Sequence, residues 1–366
     1  MVQNKVVVSC ILYIRELYLY KCTMNLNDLI IQFLINHPNS SVSQIHFALK
    51  EVSISSIKRY LTKLVENKIV EKQGSGKSTS YFLSKTYFLF NNITLDEYFT
   101  KDVDDRKLNY WFINDLLGVI DSCNQIFTPK EKIELDEQQN IFSEKLAGLS
   151  KAEKNIEFER LAIDLSWKSS QIEGNTYSLL ETEFLLKDKI EATGKSKLDA
   201  IMLLNHKEAI DFLLLHPDYL EILNVAKIID IHRILMTDLG IPMGIRKRGV
   251  GITGTNFTPS DNQFVILEAL ENTCAIINKK TNPYEKAFLA LLLIAYIQPF
   301  TDGNKRTSRI IANAILIANF HCPLSYRTVD PLFYKKAMLV FYEQNSILPM
   351  KNIFIDQVKF AVRTYF

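Results

Sequence analysis

Hydrophobic residues recur three and four positions apart over most of the chain, a pattern typical of amphipathic helices. Three short segments of this kind occupy residues 25–67, ending in "SISSIKRYLTKLVENKIV". The pattern then changes to two β-type runs around a Gly-Ser-Gly turn in "KIVEKQGSGKSTSYFLS". Because turn residues between two such runs favour a hairpin, residues 24–90 are predicted to fold as three helices and a hairpin.

After residue 92 nearly every segment has helical periodicity, including a helix predicted at about 159–175. The run from Pro283 to Ile297 is apolar almost all round, which predicts the central buried helix. The segment from Gly244 to Ile266 differs because it is rich in Gly, Thr and Asn, and it is predicted to form a β-hairpin flap. We therefore expect a mainly α fold preceded by a small α+β domain. The expected divisions are 1–23, 24–90, 91–222 and 223–360.

Composition narrows the function classes only slightly. The 366 residues carry a net charge of +2, which does not favour nucleic-acid binding by the molecule as a whole. The five cysteines are widely spaced and form no CxxC pair, so neither a disulfide framework nor a zinc ribbon is supported, and a cytoplasmic location is expected. The apolar run Val6–Tyr20 contains Arg15 and Glu16 and is too short to span a bilayer, so no membrane association is expected. Residues 1–23 are expected to be an extension upstream of a start at Met24, or a docking strand.

The three helices and the hairpin in residues 24–90 resemble the winged helix-turn-helix family. This region holds eight Lys or Arg against four Asp or Glu, a local charge of +4. The resemblance places the helix Ser53–Asn67 in a major groove of DNA and Lys77 of the hairpin on a phosphate. An alternative of equal weight is that this region is a module for protein contact or dimerisation, whose basic face is only solvated. "GSGKST" is not a P-loop, since Glu71 replaces the first glycine and a strand follows. The candidate DNA-binding residues are Ser55, Lys58, Arg59, Lys63 and Lys77.

The segment "PFTDGNKRTSR" has the features of a phosphate-binding loop. Asp302, Gly303 and Asn304 stand immediately before a new helix, whose first backbone N–H groups would be free to bind an anion. Arg306 and Arg309 are three residues apart on one face of that helix, so both can reach a phosphate chain. Asp302 supplies a carboxylate suited to Mg²⁺. The alternative is an ordinary capped helix whose arginines pair with acids.

This segment resembles the signature HxFx(D/E)GNxRxxR of the Fic (Fido) family, and the resemblance extends from about Asn155 to the C-terminus. The family implies an all-α fold that binds ATP and transfers AMP to a hydroxyl of a target protein docked on the flap at 244–266. By position, Asp302 would hold Mg²⁺ and Arg309 would bind the γ-phosphate. The α- and β-phosphates would be held by Gly303, Asn304 and Arg306, with Phe300 as a core anchor.

A second motif, "SSQIEGN", matches the family's inhibitory pattern (S/T)xxxE(G/N) at Ser169, Glu173 and Gly174. Ser169 and Glu173 are four residues apart and so lie on one helix face. The resemblance implies that Glu173 takes Arg309 away from the γ-phosphate. Taken alone, the same residues could be a helix end followed by a glycine cap.

The chain departs from the signature at its first position, where Gln298 replaces the histidine that serves as general base. A neutral amide cannot accept the proton of the target hydroxyl. Three explanations remain open: a natural pseudoenzyme that binds nucleotide, a replaced or misread residue, or a reaction with a more acidic nucleophile. The other histidines have no suitable placement in the sequence.

Two further functions compete with an auto-inhibited nucleotide-binding protein. The first is a DNA-binding transcriptional regulator whose Fic-like body senses a ligand or dimerises. The second is a toxin–antitoxin-like fusion with its inhibitor in the same chain. A target protein, DNA at residues 24–90 and a second copy in a homodimer are the expected partners, and ATP and Mg²⁺ are the expected ligands.

Overall fold

The computed structural model describes residues 25–106, 108 and 113–366. The chain forms two compact units, one ending at Asn91 and the other running from Asn92 to Phe366. The expected extension 1–23 lies outside the described residues, and the boundary at residue 222 stays a prediction. The fold is mainly helical, as the periodicity predicts.

The N-terminal unit contains the predicted order of elements. Asn25, Ser41 and Ser53 cap its first three helices by accepting hydrogen bonds from backbone N–H groups. Val70 pairs with Leu83 in an antiparallel two-stranded sheet, and the turn between the strands is a 3₁₀ turn rather than a helix. The apolar faces bury one core around Ile30, Ile57 and Leu64. The elements are α1 (Leu26–Asn36), α2 (Val42–Ala48), α3 (Ile54–Glu66), β1 (Val70–Gln73), β2 (Ser80–Leu83) and α4 (Lys85–Leu89).

The second unit is built from helices, and its described residues contain no strand. Within the described residues, none of the helices has both the length and the hydrophobicity that crossing a bilayer requires. The helices are α5 (Leu95–Tyr98), α6 (Ile113–Ser122), α7 (Pro129–Gly148), α8 (Lys151–Ile172), α9 (Leu179–Asp188), α10 (Lys197–Leu215), α11 (Val225–Met236), α12 (Gln263–Lys279), α13 (Pro283–Ile297), α14 (Asn304–Ala318), α15 (Pro331–Gln344) and α16 (Leu348–Tyr365).

Helix α13 is the centre of this unit, as its all-round hydrophobicity predicts. Its residues from Ala287 to Ala295 are fully buried, and α14 packs along it. Pro299 and the turn that follows reverse the chain between the two helices, and Phe300 is fully buried beneath the turn. The signature loop is therefore fixed at both ends by helices of the core.

The segment expected to be a β-hairpin flap is a loop without strands, and its last residues, from Gln263 on, belong to α12. The side chain of Arg246 accounts for this difference. Its guanidinium donates hydrogen bonds to the carbonyl oxygens of Arg248 and Ser260, so a side chain bridges the two arms where a strand ladder would use backbone N–H groups. Pro259, beside Ser260, has no N–H to contribute to a ladder. We call residues 244–262 the flap loop.

Candidate functional site

The loop between α13 and α14 is held together by amide side chains. Asn304 accepts a hydrogen bond from the Phe300 N–H at 2.8 Å, and its Nδ2 donates to the Phe300 carbonyl and to Oε1 of Gln298. Gln298 lies in the left-handed region with φ 51° and donates from Nε2 to the Ala295 carbonyl at 2.6 Å. Both ends of the Gln298 amide are thus engaged in the loop. The side chain of Asn304 is likewise engaged, which leaves its backbone N–H as its means of binding an anion.

Gly303 is required by backbone geometry where α14 begins. Its φ of +81° lies in the region that favours glycine, and an added Cβ would lie 2.6 Å from Cε of Met236. No side chain among the described residues caps α14, and its first turn has no acidic residue. The N-terminus of the helix, with its partial positive charge, therefore opens toward the loop as the sequence predicts.

His232 on α11 supports the loop from below. Its ring stacks on Phe300 with the two centroids 3.6 Å apart, and its Nε2–H donates to the Asp302 carbonyl at 3.0 Å. Burial lowers the pKa of His232 to about 4, with a smaller contribution from the charge on Arg306. The imidazole is therefore neutral near pH 7. This role was not predicted, because a lone histidine on a helix is usually a core or surface residue.

Arg309 meets both polar residues of the SxxxE motif. Its Nε donates to Oγ of Ser169 at 2.8 Å, and its Nη2 donates to the Ser169 carbonyl at 2.9 Å and to Oε1 of Glu173 at 2.8 Å. The guanidinium is fully buried, and its central carbon lies 5.4 Å from the ring centroid of Tyr334. The structure thus brings together two motifs that are 136 residues apart in the sequence.

Glu173 is the C-cap of α8, and each of its carboxylate oxygens binds a different cation. Oε1 accepts from Arg309, and Oε2 lies 3.0 Å from Nζ of Lys305. Burial opposes ionisation of Glu173, but the positive charges of Arg309 and Lys305 outweigh it and lower its pKa to about 2. The carboxylate is therefore fully ionised at neutral pH. Gly174, with φ +104°, then turns the chain away from the site.

The Ser169 hydroxyl is oriented from behind by His206 on α10. Nδ1–H of His206 donates to the Met202 carbonyl at 3.0 Å, so Nε2 is the acceptor for the Ser169 hydroxyl, also at 3.0 Å. Burial, together with the charge of Arg306, lowers the pKa of His206 to about 3. Ser169 can therefore donate to His206 while it accepts from Arg309. This support was also missed in the sequence.

Asp302 and Arg306 form the other charged pair of the loop. Oδ2 of Asp302 accepts from Nη2 of Arg306 at 3.0 Å, and Oδ1 accepts from the Gly303 N–H. The Asp302 side chain is 60% exposed, so it remains accessible to a ligand. Among the described residues no group of three or more His, Cys, Asp or Glu could hold a metal ion. The donor set fits Mg²⁺ bound through one carboxylate and the oxygens of a phosphate chain.

A cavity of about 630 Å³ opens above the loop. Its charged lining residues are Asp302, Glu173, Lys305 and Arg306, together with Arg106, Lys335 and Lys336. Its apolar lining residues are Phe99, Ile252, Leu332, Met338 and Leu339. A cavity lined by more cations than carboxylates, and also by apolar side chains, suits a nucleotide, which has a charged phosphate chain and a flat base.

Gln298 lies at the wall of this cavity with only 7% of its surface exposed. Its Nε2 lies 3.5 Å from the hydroxyl of Tyr342, whose pKa burial raises well above its ordinary value. Tyr342 therefore cannot act as a base at neutral pH. His206 and His232 do not replace the base, since both ring nitrogens of His206 are engaged by Ser169 and Met202 and Nε2 of His232 by Asp302.

Arg246 anchors the flap loop to the signature loop. Its Nε donates to the Gln298 carbonyl at 2.6 Å, and its backbone N–H donates to the Pro299 carbonyl at 3.0 Å. The residue is 4% exposed. Each of its three guanidinium nitrogens donates to a carbonyl oxygen, so this buried arginine has a structural function. The sequence alone did not distinguish it from its basic neighbours Lys247 and Arg248.

The candidate DNA-binding residues lie in the N-terminal unit. The α3 residues are exposed on the face opposite to the buried Ile57 and Leu61. Lys77 is also exposed, in the 3₁₀ turn between β1 and β2. The α3 candidates Ser55, Lys58, Arg59 and Lys63 therefore share one solvent-facing surface, as predicted, while their role stays a prediction.

Comparisons with known proteins identify a family match in the second unit. Residues 222–316 match the model of the Fic/DOC family. The chain is 29% identical over 160 residues to protein adenylyltransferase fic-1 of Caenorhabditis elegans, and 29% identical over 170 residues to protein adenylyltransferase Fic of Nematostella vectensis. These alignments cover 42% and 45% of this chain but only 31% and 39% of the two relatives. The chain thus spans less than half the length of the relatives it matches.

Solved structures agree at the level of the fold. Fic-1 of C. elegans superposes with a TM-score of 0.56 and 20% identity, covering 64% of this chain and 71% of that one. A Fic-domain signalling protein from Bacteroides thetaiotaomicron gives a TM-score of 0.51 and 19% identity, covering 63% of this chain and 96% of that one. Together with the signature loop, the family match over residues 222–316 shows that the chain contains a Fic/DOC domain.

Proposed function

We propose that the chain binds ATP with Mg²⁺ in the cavity above the signature loop, and that its inherited reaction is the transfer of AMP to a hydroxyl of a target protein. The observation that carries this proposal is the contact between Arg309 and Glu173. It pairs a buried guanidinium with a competing carboxylate that lines the cavity, as does the uncapped N-terminus of α14. The names of the relatives from C. elegans and N. vectensis support the same reaction.

In this proposal the loop supplies positive charge where a phosphate chain would lie. The backbone N–H groups at the start of α14 and the guanidinium of Arg306 bind the α- and β-phosphates. Arg309 binds the γ-phosphate once Glu173 has released its guanidinium. Asp302 would hold Mg²⁺, which would neutralise part of the phosphate charge. The target segment docks along the flap loop, beside the same cavity.

Glu173 inhibits this binding by occupying Arg309. A γ-phosphate can bind the guanidinium only if the carboxylate withdraws, so the two compete for one cation. The pKa of about 2 keeps Glu173 charged throughout the physiological range. We therefore propose that inhibition does not depend on pH, and that it ends only when α8 moves or Glu173 is replaced.

Gln298 limits the chemistry. In AMP transfer the target hydroxyl oxygen bonds to the α-phosphorus, the bond from that phosphorus to the bridging oxygen breaks, and pyrophosphate leaves. The hydroxyl proton must pass to a base, and the amide of Gln298 cannot accept it. Loss of a positioned base typically costs on the order of 10²–10⁴ in rate. The proposed protein therefore binds ATP but transfers AMP slowly.

Self-labelling with ATP labelled at the α-phosphate tests this assignment. The double variant Gln298→His with Glu173→Gly should incorporate label, because it regains a base and loses the competing carboxylate. Each single variant should incorporate much less. Adding Arg306→Ala to the double variant is the control, and it should abolish the label. A silent double variant that is folded and binds ATP would show that the loop has left this chemistry.

A second function is favoured by the shared basic surface on α3. As this second function, we propose that the N-terminal unit binds DNA through α3 and Lys77. Binding should weaken as salt concentration rises, and Lys58→Glu with Arg59→Glu should abolish it without changing ATP binding. The matched control is Lys85→Glu, which changes charge in the same unit outside α3. If DNA binding persists in the α3 variant, this surface is not the interface.

A further inference from the structure

The carboxylate of Glu173 binds a second cation besides the signature arginine. Oε2 lies 3.0 Å from Nζ of Lys305, whereas Oε1 is 2.8 Å from Nη2 of Arg309. Lys305 occupies the variable position of the signature, and both Lys305 and Glu173 line the cavity. The Lys305 side chain is 27% exposed and that of Glu173 is 15% exposed, so their ion pair is partly shielded from water.

Lys305 is also placed to meet a phosphate chain. It is the second residue of α14, so it lies in the first turn of a helix whose N–H groups have no side-chain cap. Asp302 and Arg306, which also line the cavity, pair with each other, and the buried Arg309 pairs with Glu173. Removing Glu173 would leave Lys305 and Arg309 without the carboxylate that joins them.

We propose that Lys305 is an additional phosphate-binding residue, and that Glu173 holds both Lys305 and Arg309 away from the nucleotide. The inhibitory carboxylate of this chain thus withholds two cations from the nucleotide. The inference rests on the proposed ATP binding, and it adds a residue that the family signature leaves variable. Because an ammonium and a guanidinium would then share the terminal phosphates, the gain on losing Glu173 should be larger for ATP than for ADP.

The two-cation arrangement predicts that the effects of replacing Lys305 and Glu173 are not additive. In the wild-type chain Lys305 is occupied by Glu173, so Lys305→Met should change ATP affinity less than threefold. In the Glu173→Gly background Lys305 is free to bind phosphate. There Lys305→Met should weaken ATP binding about tenfold, equivalent to about 1.4 kcal/mol. Lys305→Arg in that background should retain most of the affinity, because it keeps the charge.

Isothermal titration of ATP with Mg²⁺ into the four combinations of these two replacements measures this coupling. The matched control is Lys335→Met, which removes another lysine of the same cavity wall, on α15. We expect its effect to be small and equal in both backgrounds. Thermal unfolding of every variant confirms that each is folded.

The titration results separate phosphate binding by Lys305 from the proposed ATP binding. A tenfold loss confined to the Glu173→Gly background supports the inference. An equal loss in both backgrounds, or no loss in either, overturns it while leaving the proposed function intact. Failure of a folded Glu173→Gly variant to bind ATP overturns the proposed function, and the inference with it.

Discussion

Replacing Glu173 by glutamine should destabilise the free protein, because it leaves two cations facing each other. The variant keeps the shape of the side chain but removes the charge that pairs with the buried Arg309 and with Lys305. The native environment lowers the pKa of Glu173 from 4.5 to about 2. At about 1.4 kcal/mol for each factor of ten, this corresponds to roughly 3 kcal/mol of stabilisation. For a unit of this size, such a loss should lower the melting temperature by roughly 5–10 °C.

Measuring thermal unfolding as a function of pH checks both the size of this stabilisation and its electrostatic cause. Because the folded-state pKa is depressed, the stabilisation is fully present above about pH 4.5 and is lost as the pH falls toward 2. The difference in free energy of unfolding between wild type and Glu173→Gln should therefore be constant from pH 6 to 8. At pH 4 this difference should be smaller by roughly a quarter.

The control for this prediction is Glu183→Gln, which removes an exposed ion pair with Lys187 on α9. Its side chains are 43% and 50% exposed, so the loss should stay within about 0.5 kcal/mol. Equal melting temperatures for wild type and Glu173→Gln at pH 7 would refute the reasoning. So would a difference that grows as the pH is lowered.

Two further predictions concern the loops that form the site. Gly303→Ala should destabilise the protein by about 1–3 kcal/mol, measured by thermal unfolding, because alanine is strained at φ +81° and its Cβ would clash with Met236. The control is Gly118→Ala, inside α6 with open space around it, which should be neutral or stabilising. An unchanged melting temperature for Gly303→Ala would contradict the account of α14. Arg246→Met should speed chymotrypsin cleavage within the flap loop, measured by mass spectrometry, since the guanidinium joins the two arms of the loop at Ser260 and anchors them to Gln298. Lys247→Met, at the exposed neighbouring position, should not. Equal cleavage rates would show that Arg246 does not anchor the loop.

The helical part of the fold was predictable because its signals are local. The all-round hydrophobicity of Pro283–Ile297 indicated the buried centre, and the Gly-Ser-Gly turn located the hairpin of β1 and β2. The flap loop was predicted less well. Its glycines and β-type residues suggested two strands, whereas the side chain of Arg246 takes the carbonyl oxygens that pairing would need. A side-chain bond of this kind leaves no periodic signal in the sequence.

The site was predictable where its residues belong to the two motifs. The pairing of Glu173 with Arg309 was expected from the family resemblance, and the structure places the two groups in contact. The supporting residues were not predicted, because they come from separate helices that meet only in the folded chain. His206 orients Ser169 from α10, and His232 holds the loop from α11. Each is a lone histidine on a helix, and its contacts are set by packing rather than by sequence spacing.

Calorimetric titration of ATP with Mg²⁺ into wild type and Glu173→Gly shows whether the signature loop binds ATP and whether Glu173 weakens this binding. We expect the variant to bind at least tenfold more tightly than wild type, because Arg309 becomes available to the γ-phosphate. Equal affinities in the two proteins, or no heat of binding in either folded protein, would contradict this expectation.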